Sequence, residues 1–223
     1  EYDGAVQDID DVSYNNLTIS AAGAKTAVQD LVVAGDLNIS SGDLAIGNKR
    51  LNLTGDFLMS GGTFTAGDNT GHTVGGSWTE TGGTFTAGSV GKFTFEAATG
   101  NTTITTNSSF YDLSVETTGD TVSAAAVLTV DNDFTMTATN TGNFSAAAAL
   151  NVNGAFTMAT GNEGNFSTGS NTVRVTGVTD IDADTLMIST GGIFDADGDF
   201  NANGAFVTFT GDGTLKLGGN SLG

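Results

Sequence analysis

Gly61-Gly62-Thr63-Phe64-Thr65-Ala66-Gly67 recurs unchanged as Gly82-Gly83-Thr84-Phe85-Thr86-Ala87-Gly88. Just upstream, Phe57 is matched by Trp78 at the same spacing. Farther on, Phe134-Thr135-Met136 returns as Phe156-Thr157-Met158, and Gly142-Asn143-Phe144-Ser145 returns as Gly164-Asn165-Phe166-Ser167, both at a spacing only one position longer. A fixed internal period on this scale marks a repeat architecture. Within each repeat, apolar residues alternate with polar ones, as in Leu51/Leu53 and Leu150/Val152. That period of two is the signature of a strand. A Gly or Asn then precedes another apolar pair, as in Leu31-Val33-Gly35-Leu37 and Leu150-Val152-Gly154-Phe156.

A sandwich also has short strands, but it does not need near-identical residues at a constant spacing. A parallel solenoid does, because each coil climbs one strand spacing and places residues one period apart directly above each other. The expected fold is all-β: a single right-handed parallel β-helix (β-solenoid) of about ten coils of 20–23 residues, giving a rod roughly 50 Å long. Its core ladder should contain Phe57 under Trp78, Phe64 under Phe85, Phe134 under Phe156 and Phe144 under Phe166. The chain has no Pro, which would remove a ladder hydrogen bond. The Ala-rich stretches 124–126 and 146–149 are too short for helices and read as tight strands or corners.

A longer period overlies the short one. Leu17-Thr18-Ile19 is matched by Leu113-Ser114-Val115, and Leu31 to Leu37 by Leu128 to Phe134, about 97 residues on. The expected organisation is an acidic cap or inter-subunit segment over 1–13, followed by a solenoid over 14–223 in two super-repeats, 14–109 and 110–223. Thr214 to Asn220 reads as the opening of a further coil.

Composition narrows the function. The 223 residues include 33 Gly, 36 Thr and no Cys, so a disulfide scaffold and thiol catalysis are excluded. Charged residues are 14%, against about 25% in ordinary soluble domains, so Thr, Ser and Asn supply the polar surface. The net charge of −19 would repel nucleic acid, and no apolar run is long enough for a membrane span.

The stretches Tyr14 to Ser20, Asp36 to Gly42 and Leu53 to Phe57, together with the Gly61 to Gly67 motif, resemble the β-strand repeats of very large bacterial surface proteins. They are similar to filamentous-haemagglutinin-like and autotransporter-passenger solenoids. The resemblance covers the chain from Tyr14 onward. It implies a right-handed parallel β-helix, an extracellular or cell-surface location, and adhesive or matrix roles.

No catalytic residue is expected. The single His72 occupies the place of Leu51 in its repeat and reads as an exposed or strand-edge histidine. Asp195-Ala196-Asp197-Gly198-Asp199 begins like a calcium loop, but Phe200 and Phe206 stand where an EF-hand needs Gly and Glu. Asp180, Asp182 and Asp184 alternate on one strand face, which makes the six aspartates the candidate site for a structural calcium ion; no other cofactor is expected. Asp8, Asp10 and Asp11 form a weaker cluster. Arg174, one coil from Asp195 and Asp197, is the one basic residue placed as in a polysaccharide lyase. The expected function is a subunit of a head-to-tail β-solenoid filament, sheath or matrix, with the chain itself as partner. The alternatives are the shaft of a large secreted adhesin with carbohydrate or cell-surface partners and, remotely, a lyase-like β-helix enzyme.

Overall fold

The computed structural model describes every residue except Glu1, Asp3, Ala5, Asp11 and 219–223. Its architecture is a parallel β-solenoid. Among the described residues there is no helix, and the strands pair in parallel from coil to coil.

The rod has three faces. Face I is a ten-stranded sheet, one strand per coil, from Ser13–Tyr14 at the bottom to Phe200–Asn201 at the top. Face II starts at Leu17–Ile19 and ends at Phe206–Phe209. Face III closes the section between them. Its lower strands run from Gln7–Ile9 through Ala24–Ala27 and Asp43–Ala45, and its upper strands form a six-stranded sheet from Ser109–Phe110 to Thr214–Leu217.

Most strands are short, and their residues point alternately in and out. In Leu51-Asn52-Leu53 both leucines are buried and the asparagine is exposed. Leu31 pairs with Leu51, Phe93 with Leu113 and Phe134 with Phe156, so inward residues form continuous columns. The aromatic columns are those that the repeat requires. The Phe57 and Trp78 rings stack at 3.7 Å, Phe64 and Phe85 at 5.7 Å, Phe134 and Phe156 at 5.3 Å, and Phe144 and Phe166 at 5.4 Å. All eight side chains are buried.

The Gly-Gly pairs serve the bend between faces II and III. The nine-residue strands Phe57–Thr65 and Trp78–Thr86 cross that bend without a break. Gly62 and Gly83 turn there with φ of 74° and 92°. A Cβ on Gly62 would lie 2.0 Å from the Gly42 carbonyl oxygen one coil below, so only glycine fits.

Midway up, the path of the chain changes. Below, three residues (Gly75 to Ser77) join face I to face II, and six (Ala66 to Gly71) join face III to face I. Above, six residues (Glu96 to Asn101) join face I to face II, and Tyr111 alone joins face III to face I. The long corner has moved to another edge. The step from Trp78 to its partner Ile104 is consequently longer than the step from Phe93 to its partner Leu113. Face III is interrupted at this seam. Among the described residues, Thr84–Thr86 pairs only with Thr63–Thr65 below it, and Ser109–Phe110 only with Thr129–Val130 above it. The core continues across the seam through the Phe85 and Phe110 rings, 5.3 Å apart.

The long-period matches therefore do not share faces. Leu17–Ile19 lies on face II and Leu113–Val115 on face I. Leu31 to Leu37 turns from face I to face II, whereas Leu128 to Phe134 turns from face III to face I. What recurs is the short corner, not a position around the rod.

The first residues form a coil of their own on this chain. Tyr2 bridges to Ile19, Gln7–Ile9 pairs with Lys25–Ala27, and Ser13–Tyr14 pairs with Val32–Val33. At the other end, Thr214–Leu217 is the third strand of the last described coil rather than the opening of a new one. Gly219 and Asn220, with which that expected opening ends, lie outside the described residues.

Candidate functional site

Corners are held by a staircase of side-chain acceptors. At the edge between faces I and II, Asn16 Oδ1 accepts the Asp36 N–H, Asp36 Oδ1 the Asp56 N–H, and Asp56 Oδ1 the Ser77 N–H, at 2.7–2.9 Å. Above the seam the same staircase stands at the other edge, where Asp112 Oδ1 accepts the Asp133 N–H and Asp133 Oδ1 the Ala155 N–H. Short side chains of this kind satisfy turn amides that no strand can reach.

The two ends of the rod differ. At the lower end the Tyr2 and Tyr14 hydroxyls meet at 2.7 Å. One coil up, the buried Lys25 ammonium donates to the Ala21 and Gly23 carbonyls at 3.1 Å. Polar groups thus close the bottom. At the upper end the inward columns end in apolar side chains. Phe209 stands over Ile188, Leu217 over Ala196, Leu215 over Phe194 and Phe200 over Thr179. Ile188, Ala196 and Phe194 are fully buried, but Phe209 is 51% and Leu217 42% exposed. Among the described residues, nothing covers them. Phe206, 69% exposed, points outward from face II above Thr185 and is not part of that surface.

The six aspartates do not gather. Asp180 lies on face I and accepts from the Asn201 amide at 2.9 Å. Asp182 accepts from Thr160, and Asp184 takes a left-handed φ of 60° at the next corner. Asp195 lies on face III between Arg174 and Lys216, and Asp197 forms a 2.6 Å ion pair with Arg174. The Asp199 carbonyl accepts the Thr179 N–H at 2.8 Å. Asp180 and Asp195 are separated by less than one coil, so the two groups fall on different faces rather than stacking. Among the described residues no three His, Cys, Asp or Glu side chains converge on a common point. Asp8 and Asp10 are exposed, and Asp11 lies outside the described residues.

No family model, no curated protein and no solved structure matches this chain. Its functional reading therefore rests on its own geometry.

Two polar side chains are buried at inward positions: His72, expected to be exposed or at a strand edge, and Glu80, for which the sequence raised no expectation. His72 is fully buried in the column between Leu51 and Phe93, stacked on the Phe93 ring at 4.5 Å. Its Nδ1 accepts the Leu51 N–H at 3.0 Å, so the neutral ring carries its proton on Nε2. Burial pushes the imidazole down from 6.5 to about 4, against an opposing pull from Asp30. Glu80 is 2% exposed and occupies the inward place of Met59. Its carboxylate accepts from Thr106 Oγ1 at 2.5 Å, Ser108 Oγ at 2.8 Å and the Asn107 N–H at 3.3 Å, tying the corner above the seam. Each stands at an inward position of the repeat, which is the signal that would have found it.

Proposed function

We propose that this chain is a structural rod of an extracellular fibre, sheath or matrix, whose upper end is covered by the lower coil of the next copy. The observation that carries this reading is the apolar end formed by Phe200, Val207, Phe209, Leu215 and Leu217. Three strand edges and a core that no described residue covers template further parallel pairing. The lower coil offers two strand edges, Gln7–Ile9 and Ser13–Tyr14, and a single bridge position at Tyr2, running in the same sense. Such a head-to-tail contact does not close, so it yields filaments. The acidic flanks would hold neighbouring filaments apart.

One feature favours a second reading, the shaft of a larger adhesin. Among the described residues, Tyr2, Tyr14 and Lys25 place polar groups at the lower end, whereas the apolar upper end calls for a cover that a covalently following coil would supply. Electron microscopy of the purified chain, with mass spectrometry of the native polypeptide, separates the two. Filaments built of 22.4 kDa units that dissolve on Phe209→Asp with Leu217→Asp support assembly. A monodisperse monomer at high concentration, or a far heavier native polypeptide, overturns it.

A further inference from the structure

The seam opens a groove of about 620 Å³ beside the first strand of upper face III. Asn107, Ser108, Ser109 and Asp131 give its lining polar groups, and Ala126 and Val127 give it apolar ones. The polar lining is built in advance. Buried Glu80 fixes the corner from below through Thr106, Ser108 and the Asn107 N–H. Ser109 donates its hydroxyl proton to Asp131 Oδ2.

These bonds decide what the groove can recognise. Ser108 and Ser109 have committed their protons and offer only lone pairs. Asp131 keeps Oδ1 as an acceptor. The Asn107 side chain adds two N–H donors and a carbonyl. A fitting ligand must therefore bring several O–H donors that also accept. Val127, 59% exposed, and Ala126 give the lining an apolar patch. A pyranose ring has both parts, hydroxyls around its rim and a C–H face. The volume lies within the range of small-molecule sites. With Asp131 in the lining and a net charge of −19, an anionic sugar would be repelled.

We propose that this groove binds a neutral sugar residue, free or as part of a glycan. The site lies at mid-height on the side of the rod and does not depend on assembly at the ends. Saturation-transfer NMR reads sugar binding to monomer and fibre alike, so it is the assay of choice. Glucose, galactose, mannose and N-acetylglucosamine are tested against the intact chain, with glucuronate as the anionic counterpart. At least one neutral sugar should bind, with glucuronate much weaker. Asp131→Ala, removing a charged acceptor, should weaken binding about tenfold. Val127→Trp should fill the groove and abolish binding; its unchanged thermal unfolding shows that the fold persists. Absence of binding by all four neutral sugars, equal binding of glucuronate, or binding that survives Val127→Trp overturns the proposal.

Discussion

His72 gives the fold an acid-sensitive point whose size follows from its surroundings. The folded ring is neutral down to about pH 4, whereas in the unfolded chain it titrates near 6.5. Between these values the unfolded state binds a proton that the folded state refuses, so acid favours unfolding. The contribution is fully present above pH 6.5 and is lost as pH falls towards 4. At 1.36 kcal/mol for each tenfold change, it amounts to about 3 kcal/mol. Burial is the reason, since a charged ring would lose its water there; a proton on Nδ1 would in addition face the Leu51 N–H, donor against donor. The comparison is His72→Phe, which repeats the ring of Phe93 one coil above. That variant loses an acceptor for Leu51, a cost of about 1–3 kcal/mol that does not vary with pH. Urea unfolding followed by fluorescence of Trp78, buried 5.5 Å from the Phe93 ring, reports this coil directly. Wild-type stability minus variant stability should fall by about 3 kcal/mol between pH 7 and 4, so that the variant becomes the more stable wherever the wild-type lead at pH 7 is smaller than that. Subtraction removes the titration of the 25 acidic residues common to both chains. A difference that stays flat, or grows in acid, refutes the reasoning.

Further outcomes follow from the packing. Phe85→Ala removes a ring wedged among Phe64, Trp78, Phe93 and Phe110 and should cost about 3–5 kcal/mol in denaturant unfolding. Glu80→Ala leaves Thr106, Ser108 and the Asn107 N–H without their common acceptor; it should destabilise by about 1–3 kcal/mol and speed amide exchange at 106–109. Arg174→Ala breaks an exposed pair with Asp197 and should change stability by less than about 1 kcal/mol. The intact chain should not cleave pectin, alginate or chitin, and turnover that disappears with Arg174 would revive the lyase reading.

The aromatic columns were legible because a ring stacked on a ring keeps the same neighbour in every coil, and the sequence repeats accordingly. Phe64-Thr65 and Phe85-Thr86 could be paired by inspection, and the structure pairs them. The seam was not legible, because the short corner keeps its spelling wherever it stands. Val33-Ala34-Gly35-Asp36-Leu37 and Val130-Asp131-Asn132-Asp133-Phe134 make the same turn at different edges, and only the residues between corners say which. His72 and Glu80 were hidden by chemistry, since polar residues are ordinarily placed outside. Their inward register, opposite Leu51 and Met59, had to outweigh that expectation. The groove needed the seam and could not have been found before it.

The corner staircase has a direction. At Asn16, Asp36, Asp56, Asp112 and Asp133 the lower coil contributes the side chain and the upper coil the backbone N–H. The reverse occurs at fewer places, among them Thr117 with Asn140 and Leu51 with His72. A carboxylate left behind by a departing upper coil is content in water, but an amide stripped of its lower coil loses the partner that shaped its turn. Peeling from the top is therefore milder than peeling from the bottom. At most of these corners, a chain emerging N-terminus first finds its next acceptor already in place. At such corners the finished coil presents the mould for the one that follows.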